Sequence, residues 1–556
     1  MLDLLLINAP SHPQVYQGLA ADFAAIEPPV WAGLIAQHCL NAKFTVQILD
    51  AEAEGLTVQQ TATEIVARNP RLAVFCIYGQ QPSASTQCLP AASAVCKLVK
   101  GAAPNIPTLA LGTHASALPE KTVREEAFDY VVAGEGLTTT VRMLNDLRLD
   151  QPSGGTGTPF TREFQWPIGL YSRNSPTRIY DPYETNISDL NHTLPGQAWE
   201  LLDMTRYRAH NWHLWTAGRE KEVIIDNFRA IPTGRTRSAG GYASVQTSLG
   251  CPFKCSFCCI NAPFGGSGIR YWSPENVVAQ IINLVHEYGI TNIKIPDEMF
   301  VLNRQHVWRI CNGLIDNHLG DVLNIWAYAR IDTVKDVQLL DKMRQAGFRW
   351  LGLGIESGSK HVREGAEKGK FGDDDIMAAV QRVHDADICV GANYIFGLPD
   401  DTHESMQQTL DLACEINAEW ANFYCAMAYP GSALHRHFSQ HNPRALPENN
   451  PCGWLGYAQH AYECLPLPTD TVSAQEVLDF RDAAFLKYFQ RQEYQDMIRA
   501  KFGDRVVTEV KQMLSLGKPP RQHRKDSALE QVGVILTPVA TPTGTLNPFD
   551  DAEGRN

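Results

Sequence analysis

No apolar run in this 556-residue chain approaches the roughly 20 residues needed to span a bilayer, so no membrane-spanning helix is expected. The opening Met1-Leu-Asp lacks the basic stretch that begins a signal peptide. An excess of basic charge is missing as well. Lys and Arg number 48 against 61 Asp and Glu, a net charge of −13, which argues against nucleic acid or an anionic membrane surface as the main partner. The 14 cysteines are scattered and form no disulfide framework, which points to a reducing cytoplasm. Internal repeats are absent too, and the length suggests three or four domains with ample chain for large cores.

Against this background one cluster stands out, Ser248-Leu-Gly-Cys251-Pro-Phe-Lys-Cys255-Ser-Phe-Cys258. Its C-x3-C-x2-C spacing puts three thiolates on one short loop, and no second C-x2-C pair follows. A four-iron four-sulfur cluster normally takes four Cys ligands, so three imply one iron open to another molecule. On the loop alone a zinc site is the other reading, although zinc sites usually show a second Cys pair or His partners. The loop follows a β-favouring run, Tyr242-Ala-Ser-Val-Gln-Thr, and precedes the Gly-rich Phe264-Gly-Gly-Ser-Gly-Ile-Arg270. It therefore belongs at the C-terminal end of a strand, where barrel enzymes carry their chemistry.

With an aromatic residue, Phe257, before its last Cys, the loop resembles the signature of the radical S-adenosylmethionine (SAM) superfamily. The resemblance implies that Cys251, Cys255 and Cys258 hold a four-iron four-sulfur cluster whose open iron is capped by SAM. Reductive cleavage would then yield a 5′-deoxyadenosyl radical, with electrons from a low-potential donor such as flavodoxin or ferredoxin.

From 243 to 428 the pattern alternates strands and helices, which argues for a parallel sheet. The strands read Ala243 to Leu249, Ile293 to Pro296, Ile325 to Tyr328, Trp350 to Gly354, Cys389 to Phe396 and Trp420 to Met427. Between the first two, Val277, Val278, Ile281, Ile282, Leu284 and Val285 repeat at helical spacing behind an N-cap at Ser273-Pro274. Six units fit the partial barrel of the superfamily. The resemblance then implies SAM contacts at Phe257, Asp297, Glu298, Arg330, Glu356, Ser357, Gly391 and Gly397, with Pro-Asp-Glu standing in place of the usual Gly-Gly-Glu. Tyr328, Arg330 and Tyr429 are candidate catalytic residues. Cys259, beside the loop, and Cys425, on the sixth strand, are spare thiols within reach of the site.

The first 145 residues read as a doubly wound, Rossmann-like α/β domain. Its strands are Leu2 to Asn8, Phe44 to Leu49, Leu72 to Tyr78, Thr108 to Gly112 and Tyr130 to Ala133, with helices from about Pro29 to Leu40 and from Val58 to Arg68. Such domains bind ligands where loops leave the carboxyl ends of the strands. Two of these loops, Gly112-Thr-His114-Ala-Ser-Ala-Leu-Pro119 and Asp129-Tyr-Val-Val-Ala-Gly134-Glu-Gly136, resemble the cobalamin-binding domain that precedes the barrel in cobalamin-dependent radical SAM enzymes. The implied contacts are Tyr78, Gln80, Gln81, Ser83, Ser85, Gly112, Thr113, His114, Gly134, Glu135 and Gly136. No Asp-x-His-x-x-Gly loop is found, so a corrin without an axial protein His is expected. His114 reads as a wall residue, with Tyr78, Gln80 or Gln81 near the lower corrin face.

Between the domains, 146–242 begins with a turn-rich stretch, Gln151-Pro-Ser-Gly-Gly-Thr-Gly-Thr-Pro159. It continues into Tyr207-Arg-Ala-His-Asn-Trp212-His-Leu-Trp215, which either packs between domains or covers the cleft. Residues 429–515 form a mainly helical, substrate-side region, including a helix from Ala474 to Phe489. Residues 516–556 read as a weakly ordered tail. Arg235 and Arg237 are local basic spots for an anionic substrate.

Together the resemblances imply a cobalamin-dependent radical SAM methyltransferase that moves a methyl group from methylcobalamin to an unactivated carbon, or a phosphinate phosphorus, of a small molecule. A cyclase or rearrangement enzyme with the same cofactors and a non-enzymatic cobalamin or metal-binding sensor are the alternatives.

Overall fold

The computed structural model describes residues 2–17, 20, 23–149, 169–172, 186–215, 241–369 and 371–515. The turn-rich 151–159 stretch, Arg235, Arg237 and the 516–556 tail lie outside the described residues. Two six-stranded sheets organise the chain.

The first sheet has Leu4–Asn8 (β1), Val46–Asp50 (β2), Leu72–Ile77 (β3), Thr108–Gly112 (β4), Tyr130–Val132 (β5) and Leu170–Ser172 (β6). Its order is β2-β1-β3-β4-β5-β6. β1 to β5 pair parallel, and β6, which the sequence pattern does not signal, adds an antiparallel edge. β3 and β4 are buried along their whole length, as expected of strands covered by helices on both faces. The helix Val58–Arg68 starts in a capping box between Thr57 and Gln60 and stops at Asn69 in the left-handed conformation. The strand order reverses between β1 and β3, so the loops leaving those two strands open the crevice in which doubly wound sheets bind ligands.

The second sheet begins with Gly241–Ser244 (β7). A short antiparallel pair, Ser248–Leu249 (β8) and Arg270–Tyr271 (β9), precedes its remaining strands. These are Ile290–Ile295 (β10), Asn324–Arg330 (β11), Phe348–Glu356 (β12), Cys389–Phe396 (β13) and Trp420–Cys425 (β14). The order β14-β13-β12-β11-β10-β7 is parallel throughout, with β14 and β7 unjoined, which makes an open half-barrel. Ser273 caps the helix Pro274–Tyr288 by accepting the Asn276 N–H, and that helix buries Val277, Val278, Ile281, Leu284 and Val285.

One expected strand is corrected. Ala243 to Leu249 is not continuous, because the last bond to the sheet runs from the Val245 N–H to the Lys294 carbonyl. The Asp297 carboxylate then takes the Thr247 N–H at 2.9 Å and the Ser248 hydroxyl at 2.5 Å, which draws the chain off the sheet.

The C-terminal helices Ala474–Gln490, Gln492–Phe502 and Asp504–Ser515 pack along the β14 side. Tyr488 and Tyr494 donate to the carbonyls of Ala418 and Glu419, at 2.6 and 2.9 Å, and hold this region to the start of β14. A buried ion pair joins Lys294 of β10 to Glu27, in the segment that leads into the first domain's helix Val30–Asn41.

Candidate functional site

The cysteine loop is built before any metal is considered. Asn261 clamps Cys251 from both sides, accepting its N–H at 3.1 Å and donating to its carbonyl at 2.9 Å. The Cys258 N–H bonds the Cys255 carbonyl, and the Gly268 N–H bonds the Cys251 carbonyl. All three thiols line a cavity of about 850 Å³ that runs down the inside of the half-barrel. Burial pushes Cys251 up to about 11 and raises Cys255 and Cys258 as well. Thiols so placed keep their protons until a metal displaces them. Three thiols around one open space fit a cluster.

Charged groups crowd the cavity mouth. Arg330 pairs with Asp332 at 3.0 Å, lies over the Phe253 ring at 4.0 Å, and brings Nη1 to 4.0 Å from the Cys255 sulfur. Lys368, not anticipated from the sequence, pairs with Glu356 at 2.6 Å. Glu356 has a positive φ of 69° beside a register shift in β12. Such strain in a non-glycine residue collects at functional sites. Glu298 also lines the cavity, and burial raises its carboxyl to about 7, with Lys368 and Lys294 acting against the rise.

Asp297 and Glu298 divide their labour. Asp297 is spent on Thr247 and Ser248, and burial pushes it up to about 6, whereas Glu298 looks into the space beneath the cysteines. Phe257, Tyr328, Arg330, Glu356, Gly391 and Tyr429 also line this cavity, as do the spare thiols Cys259 and Cys425. Ser357 and Gly397 do not. Ser357 bonds Thr409 in the interior, and the Gly397 N–H bonds Asp401, with Val477 filling the place of a side chain.

The loop after β3 enters the same cavity. Gln80, Gln81 and Ser83 line it, Gln81 donates to the Tyr328 hydroxyl at 2.9 Å, and the Gln80 carbonyl accepts from Lys294 at 3.0 Å. A smaller cavity, sharing Tyr16, Gln80, Gln81, Gln87 and Glu298 with the first, continues into the crevice between β1 and β3. It is lined by Asn8, Ser11, His12, Glu52, Tyr78 and Thr113 from the first domain, and by Gln246 and Gly250 from the second. Two buried polar atoms here have no partner, Tyr78 Oη and Gln246 Oε1. A donor-capable hydroxyl and an amide oxygen left bare across one cleft fit a ligand bearing neutral amide arms, which is what the corrin periphery presents. Tyr78 also stacks on Trp31, with ring centroids 4.7 Å apart.

The remaining expected cobalamin residues lie elsewhere. Ser85 bonds the Ile77 carbonyl and the His114 N–H. His114 is buried beneath Trp454, bonds Thr86 at 3.1 Å, and is pushed down to about 3 by burial. It lines neither cavity. Gly112 is required by close packing, since a Cβ there would stand 2.0 Å from the Ile77 carbonyl oxygen, with φ at 146°. Ser116 bonds both the N–H and the carbonyl of Gly134. Glu135 is buried against Arg270 and the Ile187 N–H, and Gly136 packs on Leu111. The β1 loop, with Asn8, Ser11 and His12, was not anticipated. The reversal of strand order was the signal that would have found it.

From the connector, His210, Asn211, Trp212 and Trp215 line the large cavity on its open side, while Tyr207 bonds Asp50 at 2.9 Å. The stretch therefore both packs and covers.

Comparison with known proteins agrees with this geometry. A B12 binding domain model matches residues 16–144, and a radical SAM superfamily model matches 245–413. The chain is 28% identical over 409 residues to an uncharacterised methyltransferase of Pyrococcus horikoshii, covering 73% of this chain and 77% of the other. It is 25% identical over 432 residues to the anaerobic magnesium-protoporphyrin IX monomethyl ester cyclase of Rubrivivax gelatinosus, covering 76% and 68%. Among solved structures it shares the fold of the radical S-adenosylmethionine methyltransferase TsrM of Kitasatospora setae. The TM-score is 0.57 at 16% identity, covering 79% of this chain and 78% of that one.

Proposed function

We propose that this chain, a radical SAM enzyme with an N-terminal B12-binding domain, methylates an unactivated carbon of a small molecule inside the half-barrel. When bound, the cluster with SAM supplies a hydrogen-abstracting radical and cobalamin supplies the methyl group. One observation carries the reading: the three cysteines and the Gln80 to Ser83 loop face a single cavity. Cys251, Cys255 and Cys258 bind the cluster. Glu298 would receive the SAM amino group, Arg330 or Lys368 its carboxylate, and Glu356 its ribose. Tyr78, Gln80, Gln81, Ser83 and Thr113 would bound a cobalamin held in the cleft. Holding both cofactors and the substrate in one enclosed space supplies orientation and excludes water, the protein's share of such chemistry.

Anaerobic protein reconstituted with iron, sulfide and cobalamin should form 5′-deoxyadenosine from SAM and a strong reductant, and transfer label from methyl-labelled SAM to product. Absence of 5′-deoxyadenosine from fully loaded protein would count against the reading. The likeness to a cyclase supports a second outcome, ring closure; a product without added methyl mass would select it. All cysteines of the described residues are free thiols. No helix of the described residues is long and apolar enough to cross a membrane.

A further inference from the structure

We propose that the barrel cavity below the cysteine loop is a subsite for an uncharged planar ring carrying an amide-like edge, an assignment that rests on the reading that substrate enters this cavity. Strand register sets the geometry. Tyr328 of β11 is level with Gly352 of β12, Gly352 with Gly391 of β13, and Gly391 with Trp420 of β14. All four line the cavity. A Cβ on Gly352 would stand 2.9 Å from the Tyr328 ring, so that ring leans over the first glycine. A Cβ on Gly391 would meet nothing nearer than 4.0 Å, which leaves bare backbone as an open floor. A floor without side chains, bounded by a tyrosine and a tryptophan ring, suits a flat apolar body.

The next rung supplies polarity. Gly354 is level with Asn393, and Asn393 with Asn422. Asn422 donates to the Asn393 oxygen at 3.0 Å, and Trp420 Nε1 donates to the Asn422 oxygen at 2.8 Å. Asn393 also donates to the Leu353 carbonyl at 3.4 Å. Each side-chain amide has two N–H groups and two acceptor lone pairs, so each of the two keeps one N–H and one lone pair, and both residues line the cavity. A donor beside an acceptor matches the edge of a primary amide, a lactam or a carbamoyl group.

Charge among the described residues speaks against an anion. Every described Lys and Arg lining the cavity already faces a carboxylate: Lys294 both oxygens of Glu27, Lys368 Glu356, and Arg330 Asp332. Arg330 shares the asparagine rung but is turned toward Asp332 and the Lys368 carbonyl. Lys294 is spent on Glu27, and Arg330 and Lys368 are the cations the proposed reading gives to the SAM carboxylate, so none of the three is left over for an anionic substrate, whereas a neutral one needs none.

The test is ligand-observed NMR on cofactor-loaded protein with SAM present, using two matched probe pairs: nicotinamide against nicotinate, and indole-3-carboxamide against indole-3-carboxylate. The amides are expected to bind at least about tenfold more tightly than the acids, and Asn393→Leu or Asn422→Leu to weaken them about tenfold. Asn422→Asp, of the same shape, gives the same reading should the leucine variant fold poorly. Acids binding as well as amides, no probe binding, or unchanged binding in the variants would overturn the assignment. Formation of 5′-deoxyadenosine is assayed separately. SAM cleavage without probe binding sinks the subsite alone, and probe binding without SAM cleavage sinks the radical reading alone.

Discussion

Lys294 Nζ lies 2.8 and 3.0 Å from the two carboxylate oxygens of Glu27, with Lys294 1% and Glu27 7% exposed. The same ammonium holds the Gln80 carbonyl, and Glu27 accepts from Ser244. The loop after β3 is thus tied to the barrel wall by a charge pair out of reach of water. Removing one partner leaves the other charge buried and unpaired. Lys294→Met is expected to cost about 3–5 kcal/mol in chemical unfolding, and the double variant Lys294→Met with Glu27→Met to recover most of it. Equal losses in single and double variants would show that the pair is not coupled.

Metal content gives the second prediction. Cys251→Ala, Cys255→Ala and Cys258→Ala should each lower the iron bound after anaerobic reconstitution toward background. Cys259→Ala and Cys425→Ala, which line the cavity outside the three-cysteine set, should leave it unchanged. Iron loss in Cys259→Ala would change the ligand set.

Acidity supplies a third. Burial raises the Glu298 carboxyl from 4.5 to about 7. The folded state therefore holds this proton where the unfolded chain has released it. Stability from this group is present below about pH 4.5 and is lost as pH rises through 7, by roughly 3 kcal/mol. In apoprotein, Glu298→Gln should be more stable than the parent at pH 8 and equal to it near pH 4.5. A variant whose pH profile parallels the parent's would refute the shift.

Two glycines should behave oppositely. Gly112→Ala forces a methyl group against the Ile77 carbonyl at a positive φ, and a loss of more than about 2 kcal/mol is expected. Gly391→Ala enters open space, so its melting temperature should stay near the parent's. Thermal melts of the two variants decide it.

Periodicity and cap chemistry were enough to read most of the fold. Val58–Arg68 carries its start and stop in Thr57, Gln60 and Asn69, and the strands of both sheets are apolar runs bounded by loops. What escaped the sequence depends on partners far along the chain. The break between β7 and β8 comes from Asp297, 50 residues after Thr247, and β6 exists only because β5 offers an edge. The site shows the same division. The cysteine loop was legible because its spacing is local chemistry. Lys368 was not, since its value lies in meeting Glu356, and neither was the β1 loop, whose role follows from strand order. Gly112 was noticed as a loop glycine, and its packing against the Ile77 carbonyl is the part that the sequence did not show.

Asn261 grips Cys251, and Asp297 grips the strand that leads into the loop, so the shape of the cysteine nest is written in ordinary protein contacts. Small metal-dependent domains fold only around their metal. Here the path of the loop is held by an amide and a carboxylate outside the cysteine set, so its shape does not rest on the thiols alone.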